Sequence, residues 1–178
     1  QAETHDLELK AAVKPLDPET VEFKAQFHAG VLLRETLYRI ADKKAFLTKV
    51  IDTLKPGGNL VIVDLFFADD ADASEMDRWR DGERSEAYGC EIGEAKELLT
   101  KLTMDVRAAT DESDAYAARI LDTWRDFVRI VGDEPLPDDL VLAMVDEAEF
   151  WARRYAAIRS GNLKLFRLAC LKAQAIED

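Results

Sequence analysis

The segment from Ala29 to Val63 constrains the fold more strongly than any other part of the sequence. It opens with the uninterrupted apolar run Ala-Gly-Val-Leu-Leu, and a second apolar run, Leu60-Val61-Ile62-Val63, closes it. Neither run shows the polar alternation of a strand with one face in water, so each indicates a strand that is covered on both faces. The two runs therefore predict neighbouring strands of a parallel sheet.

A helix is predicted between these two strands. Asp42 can cap its first turn, and its apolar residues recur at helical spacing, at Phe46, Leu47, Val50, Ile51 and Leu54. Lys55-Pro56-Gly57-Gly58 ends the helix, because proline cannot continue it and glycine allows the chain to reverse. Strand, helix and strand form a βαβ unit, whose crossover we expect to be right-handed.

The rest of the chain alternates helices with strands, and no repeat or flexible linker divides it, so we predict a single domain over residues 1–178. The predicted elements are a weak strand at Leu7–Leu16, a surface loop with irregular helix at Phe67–Ser85, a helix at Glu91–Leu102, a short strand at Met104–Ala108, two amphipathic helices from Ser113 or Asp114 to Gly132 and from Asp138 or Asp139 to Ser160-Gly161, and a closing strand at Leu163–Lys172.

Composition limits the classes of partner. The net charge of −12 disfavours nucleic acid and anionic membrane surfaces, since neither offers cations to pair with excess carboxylates. No apolar run is long enough to span a bilayer, and Cys90 and Cys170 are expected to be free thiols in a reducing compartment. The sequence predicts a cytoplasmic protein that binds a small molecule or a protein.

Three motifs of this segment, read in order, resemble the middle of the class I S-adenosylmethionine-dependent methyltransferases. They are Val-Leu-Leu-Arg-Glu-Thr-Leu-Tyr from Val31, Ala-Asp-Lys-Lys-Ala-Phe-Leu from Ala41, and Leu-Lys-Pro-Gly-Gly-Asn-Leu-Val-Ile-Val-Asp from Leu54. The resemblance implies an α/β fold, namely a partial Rossmann-like sheet made of the family's C-terminal strands. It also implies helices on both faces and a two-helix insertion over residues 111–160, which would cover the acceptor.

The resemblance implies S-adenosylmethionine as the cofactor. The segment Val13–Phe23 is similar to the end of the family's third strand, where an aspartate accepts a hydrogen bond from the adenine amino group, and Asp17 matches it. Ligands of open parallel sheets gather at the carboxyl ends of the strands. Leu33 and Arg34 lie at such an end, so we expect them at the cofactor.

The same reasoning places Glu35, Tyr38 and Asp64 near a small-molecule acceptor. Methyl transfer needs the nucleophile and the methyl group held in line, and no catalytic dyad is required, so the sequence identifies no catalytic residue. Each of the three residues also has a structural reading: Glu35 and Asp64 as solvated or ion-paired carboxylates, and Tyr38 as a packing residue.

Other aromatic side chains are assigned to core packing, and the histidines are not assigned to a metal site. Tyr116, Trp124, Trp151 and Tyr155 lie on apolar helix faces, where core packing is expected rather than an aromatic cage. The two histidines have no cysteine or carboxylate cluster at metal-ligand spacing, so no metal site is predicted.

The family builds the rest of its cofactor site from a glycine-rich turn and an acidic residue that precede the position of Asp17, and this chain does not contain them. The expectation is therefore that the chain is the C-terminal portion of a methyltransferase. The alternative is a non-catalytic interaction protein with a methyltransferase fold. Pro18, which has no N–H for the adenine ring, and Ala29, where the family has aspartate, favour that alternative.

An uncovered sheet edge is expected in either case. In the family the first strand lies beside the strand that corresponds to Val31–Leu33, so here this strand would present unpaired backbone groups. A lost N-terminal half, a second copy in a homodimer or another partner chain would cover the edge.

Overall fold

The computed structural model describes residues 14–132 and 135–173, so most of the predicted strand at Leu7–Leu16 lies outside the described residues. The elements in chain order are β1 His28–Arg34, a 3-10 turn Leu37–Arg39, α1 Lys43–Thr53, β2 Leu54–Phe67, α2 Ala73–Asp81, α3 Ile92–Lys101, β3 Met104–Asp111, α4 Ser113–Val131, α5 Asp138–Arg159 and β4 Leu163–Lys172. No helix among these residues is long and apolar enough to cross a membrane.

The four described strands form one mixed sheet in the order β1-β2-β4-β3. β1 runs parallel to β2, with Leu32 opposite Val61. β4 lies between β2 and β3 and is antiparallel to both. Three strands therefore point the same way and only β4 is reversed. The predicted α/β class and the predicted parallel pairing around α1 are confirmed.

The Lys55–Gly58 motif follows the end of α1, as predicted, but it lies inside β2 and not in a turn between the helix and the strand. α1 ends at Thr53 and β2 begins at the next residue. Between the pairs His28 with Leu54 and Gly30 with Asn59, β2 advances by five residues while β1 advances by two. The motif is thus an irregularity in the ladder, and the positive φ of Gly57, 72°, allows it.

Helices cover both faces of the sheet, as predicted. α1 and α3 pack on one face, where Phe46 and Leu99 meet Ile62. On the other face α2, α4 and α5 form a second core around Leu65 and Leu165. Two amphipathic helices do lie between β3 and β4, where the sequence predicted them.

The acidic stretch after β2 contains a regular helix, which corrects the expectation of a loop with irregular helix. Asp72 caps α2, because its carboxylate accepts hydrogen bonds from the backbone N–H groups of Ser74 and Glu75. Met76 and Trp79 lie one turn apart on its inner face, and each is buried in the second core. Because charged residues surround these two positions in the sequence, the helical periodicity of α2 is too weak to predict the helix.

β1 is an edge strand among the described residues, and Leu32 at its middle is 63% exposed. Glu35 donates its backbone N–H to the carbonyl of Val63. Backbone N–H groups alternate between the two sides of a strand, so the N–H of Leu33 also faces β2. The N–H groups of Leu32 and Arg34 face the opposite side, which no described strand occupies. What covers this edge remains a prediction.

Candidate functional site

A buried carboxylate holds the turn that follows β1. Asp64 lies on β2 and is fully buried. Its Oδ2 accepts the backbone N–H groups of Thr36 and Leu37 at 2.8 and 2.7 Å, and its Oδ1 accepts those of Tyr38 and Leu65 at 3.1 and 2.9 Å. The carboxylate therefore fixes the Arg-Glu-Thr-Leu turn from inside, and the turn lies between Asp64 and solvent.

Glu35 begins this turn in a left-handed backbone conformation, with φ of 47°. A residue with a side chain adopts this conformation only when its surroundings enforce it, at a cost of about 1 kcal/mol or more. Here the bond from its N–H to Val63 and the Asp64 contacts just after it provide the enforcement. The side chain of Glu35 consequently leaves the strand direction and remains 24% exposed.

A buried arginine from α5 connects this turn to the helices. Arg154 is 1% exposed. Its Nε and Nη2 form a bidentate pair with Glu83 at 2.8 Å each, and Nη2 also donates to the Tyr38 hydroxyl at 2.6 Å. Its Nη1 donates to Glu35 at 2.7 Å and to the Tyr116 hydroxyl at 3.2 Å. All five guanidinium donors are thus satisfied by four side chains.

The network keeps one protonation state near neutral pH. Burial raises the pKa of Tyr38 to about 12 and raises that of Tyr116. Burial by itself would lower the pKa of Arg154, but the hydrogen bonds that the guanidinium donates to Glu83 outweigh it and raise that pKa instead. The guanidinium therefore remains charged and the two phenols remain protonated near neutral pH, so the groups that donate hydrogen bonds to Glu35 are unchanged in this range.

A cavity of about 600 Å³ lies beside Glu35, between α4, α5 and the carboxyl end of β1. This volume is in the usual range for small-molecule sites. Most of the lining is apolar or aromatic, and it consists of Arg34, Glu35, Tyr116, Arg119, Ile120, Thr123, Trp124, Phe127, Leu140, Ala143, Met144, Glu147 and Trp151. The two helices thus form its walls, and the turn after β1 forms one end.

The residues predicted at the acceptor separate in the structure. Glu35 lines the cavity. Tyr38 is 1% exposed and Asp64 is fully buried, and neither lines the cavity. Asp64 holds the backbone that follows Glu35, and Tyr38 accepts a hydrogen bond from Arg154, which also donates to Glu35. Direct contact of Tyr38 or Asp64 with an acceptor is thus a prediction that this geometry does not favour.

The residues predicted at the cofactor also separate. Arg34 lines the cavity, whereas the side chain of Leu33 packs in the first core. Asp17 is exposed and organises its own turn, accepting the N–H of Glu19 and the hydroxyl of Thr20 at 2.9 Å each. These bonds lower the pKa of Asp17, which therefore carries a charge at neutral pH.

Aromatic residues that the sequence assigned to core packing do pack against the second core, and three of them also line the cavity. The three are Tyr116, Trp124 and Trp151. Residues 116, 120, 123, 124 and 127 of α4 all face the cavity, and they form one helical stripe. Periodicity alone could identify this stripe, but it could not show that a cavity separates it from α5.

Comparisons with known proteins identify the fold. No protein-family model and no curated protein sequence matches the chain. A solved structure described as a sarcosine dimethylglycine methyltransferase from Galdieria sulphuraria matches 90% of the chain with a TM-score of 0.73 and 13% identity. Phosphoethanolamine N-methyltransferase 2 of Haemonchus contortus, in complex with S-adenosyl-L-methionine, matches 89% with a TM-score of 0.71 and 16% identity.

A third similar structure is geranyl diphosphate C-methyltransferase from Streptomyces coelicolor, in complex with Mg²⁺, geranyl diphosphate and S-adenosyl-L-homocysteine, with a TM-score of 0.64 and 9% identity over 90% of the chain. The chain spans 58%, 36% and 53% of the lengths of these three structures. At these identities the likeness concerns the fold. The described part of the chain therefore has a class I S-adenosylmethionine-dependent methyltransferase fold, present in part.

Proposed function

We propose that this chain takes part in methyl transfer from S-adenosylmethionine to a small-molecule acceptor, as the C-terminal portion of the enzyme. The observation that carries the proposal is the cavity at the carboxyl end of β1, because open α/β sheets bind their ligands at that end. The fold supports it further, since similar structures bear the names of small-molecule methyltransferases and several contain S-adenosylmethionine or S-adenosyl-L-homocysteine.

The residues present fit part of a site for S-adenosylmethionine. The N–H groups of Leu32 and Arg34 face the side of β1 that pairs with no described strand, so among the described residues they are available to a ligand. Each carboxylate oxygen of Asp17 accepts one hydrogen bond and retains capacity for another, which suits an amino-group donor such as adenine. The remaining contacts would come from elements beyond the described residues. The cofactor supplies the methyl group when it is bound.

The cavity would position the acceptor. Its apolar walls exclude water from the reacting centre, and α4 and α5 enclose the acceptor from two sides. Glu35, held by Arg154 and Tyr116, offers a fixed acceptor of hydrogen bonds at one end. A nucleophile that donates a hydrogen bond to Glu35 would be oriented towards the edge of β1.

Mass spectrometry tests this proposal. The complete enzyme that the proposal requires, with this chain as its C-terminal portion, is incubated with S-adenosylmethionine and a library of small molecules. Products heavier by one methylene unit are sought, with S-adenosyl-L-homocysteine as the coproduct. We expect Thr123→Trp, which fills the cavity from α4, to abolish product. Arg125→Trp, on the same helix but outside the lining, should retain it. Product formation that both variants retain equally would contradict the assignment of the cavity.

A non-catalytic interaction protein is the second candidate. The observation that favours it is the edge of β1, where Leu32 is 63% exposed and one side of the strand pairs with no described strand. A homodimer or a partner chain could pair with this edge, in the cytoplasm that we propose as the compartment. Leu32→Lys should disrupt such pairing, and sedimentation measurements would detect the smaller species. Transfer of the methyl group from S-adenosylmethionine to an acceptor would refute the non-catalytic candidate.

A further inference from the structure

Both carboxylates of the cavity lining already have cationic partners. Glu35 pairs with Arg154 at 2.7 Å. Glu147 pairs with Arg84, and its other oxygen accepts the indole N–H of Trp151 at 2.6 Å. Neither Arg154 nor Arg84 lines the cavity. Both carboxylates are therefore engaged in ion pairs with arginines outside the lining, and Arg154 is shared with Glu83.

Two arginines of the lining have no such partner. Arg34, at the end of β1, and Arg119, on α4, form no ion pair with any residue in the ranges 14–132 and 135–173, although Arg119 lies 5.9 Å from the ring of Tyr116. Arg154 is shared between Glu35 and Glu83, so the four arginines of the lining and its ion pairs outnumber the three glutamates by one. The cavity thus has one excess positive charge in a chain whose net charge is −12. A local reversal of sign beside an enclosed surface attracts an anion.

The remainder of the lining selects against a wholly polar ligand. Ile120, Trp124, Phe127, Leu140 and Met144 offer apolar surface, and a polar group placed against them would lose its hydrogen bonds to water without replacement. An apolar or aromatic body gains from the same surface. The two requirements together describe an amphiphilic anion.

We infer that the cavity takes an acceptor with an apolar body and an anionic group, such as a carboxylate or a phosphate, and that Arg34 and Arg119 bind the anion. The inference rests on the proposed function, because it names the acceptor class of the same cavity. Arg34 precedes Glu35 in the chain, and Arg119 lies over the ring of Tyr116, whose hydroxyl donates to Glu35. Both arginines are exposed, so the bound anion remains accessible to solvent while the apolar body extends between α4 and α5.

Three probes of one shape test the charge preference. Naphthalene-2-carboxylate, naphthalene-2-carboxamide and 2-naphthylmethylammonium are titrated into the chain by calorimetry, with the fluorescence of Trp124 and Trp151 as a second signal. We expect the carboxylate to bind about tenfold more tightly than the carboxamide, as two partly exposed ion pairs allow. Equal binding, a preference for the ammonium, or no binding of the carboxylate would overturn the inference.

A matched pair of variants assigns the effect to the two arginines. In Arg34→Gln/Arg119→Gln the affinity for the carboxylate should fall about tenfold, to that of the carboxamide, while the affinity for the carboxamide does not change. Arg125→Gln/Arg129→Gln removes the same charge from exposed ion pairs of α4 that lie outside the lining. An equal loss in this control would show a general effect of net charge and would refute the assignment.

Failure of the inference and failure of the proposed function give different results. Selective binding of the carboxylate without any methyl transfer would contradict the function and support the anion site. Methyl transfer confined to neutral or cationic acceptors would contradict the anion site alone. Competition between S-adenosylmethionine and naphthalene-2-carboxylate would overturn the inference, because the arginines would then bind the carboxylate of the cofactor.

Discussion

Replacing Arg154 by methionine should lower the free energy of unfolding by about 3–5 kcal/mol, because it leaves a buried charge without a partner. The side chain of Glu83 is 1% exposed and Arg154 is its only ion-pair partner among the described residues. Methionine fills much of the same volume beside Phe150, so loss of packing contributes little. The expected change is a large part of the 5–15 kcal/mol by which single domains are stable.

The origin of this loss is tested by removing the charge of Glu83 as well. In Arg154→Met/Glu83→Gln no buried charge remains, so the double variant should be more stable than Arg154→Met by about 1–3 kcal/mol. Arg154→Lys retains the charge but cannot form the bidentate pair, and its stability should lie between those of the wild type and the methionine variant. Arg153→Met, which breaks the exposed pair with Glu149, should change stability by less than about 1 kcal/mol.

Urea denaturation, followed by tryptophan fluorescence, measures these differences. The slope against urea concentration should be the same for all variants, which would show that only stability has changed. A loss below about 1 kcal/mol for Arg154→Met, or a double variant no more stable than the single one, would refute this reasoning. In that case the guanidinium would contribute through packing and not through its charge.

Two further predictions concern the backbone and pH. Thr103 is exposed and has a left-handed backbone conformation, with φ of 63°. Thr103→Gly should relieve this strain and raise the free energy of unfolding by roughly 0.5–1 kcal/mol in the same assay. An unchanged or lower free energy of unfolding would contradict the presence of strain. Burial raises the pKa of Cys90 and of Cys170 to about 11. Since these values lie above those of the unfolded chain, their stabilising contribution is complete at about pH 8 and is lost as the pH rises towards 11. Stability should therefore decline over this range, and less steeply in Cys90→Ala/Cys170→Ala; equal slopes would exclude the thiols as the cause.

Strands and helices were predictable where the periodicity of apolar residues was clear. β1, α1 and β2 follow from two apolar runs around an amphipathic stripe, and Asp42 caps α1 as expected, with its carboxylate accepting the N–H of Ala45. α2 escaped prediction because only Met76 and Trp79 face inward and charged residues surround them. A short helix buries too few positions for its period to exceed the background of polar residues.

The place of the cavity follows from sheet topology, but its lining does not. The sequence predicts that ligands gather at the carboxyl end of β1, and a cavity lies there; that a ligand binds in it stays a prediction. The role of Asp64 was not apparent, since a carboxylate at a strand end reads equally as a ligand contact or as a partner for backbone N–H groups. Only the positions of Thr36 and Leu37 in space distinguish the two.

The sequence indicates that Arg154 needs buried partners of opposite charge, but it does not identify those partners. The residue lies on the inner stripe of α5 with Trp151 and Ile158, and a charged residue on such a stripe requires buried partners of opposite charge. The sequence can state that requirement, but it cannot identify Glu83 or Glu35, which are 71 and 119 residues away. Because the same guanidinium stabilises the core and fixes Glu35 at the cavity, substitutions that change Arg154 or Glu83 should alter the geometry of the cavity together with stability. Activity measurements on such variants therefore have meaning only beside their unfolding curves.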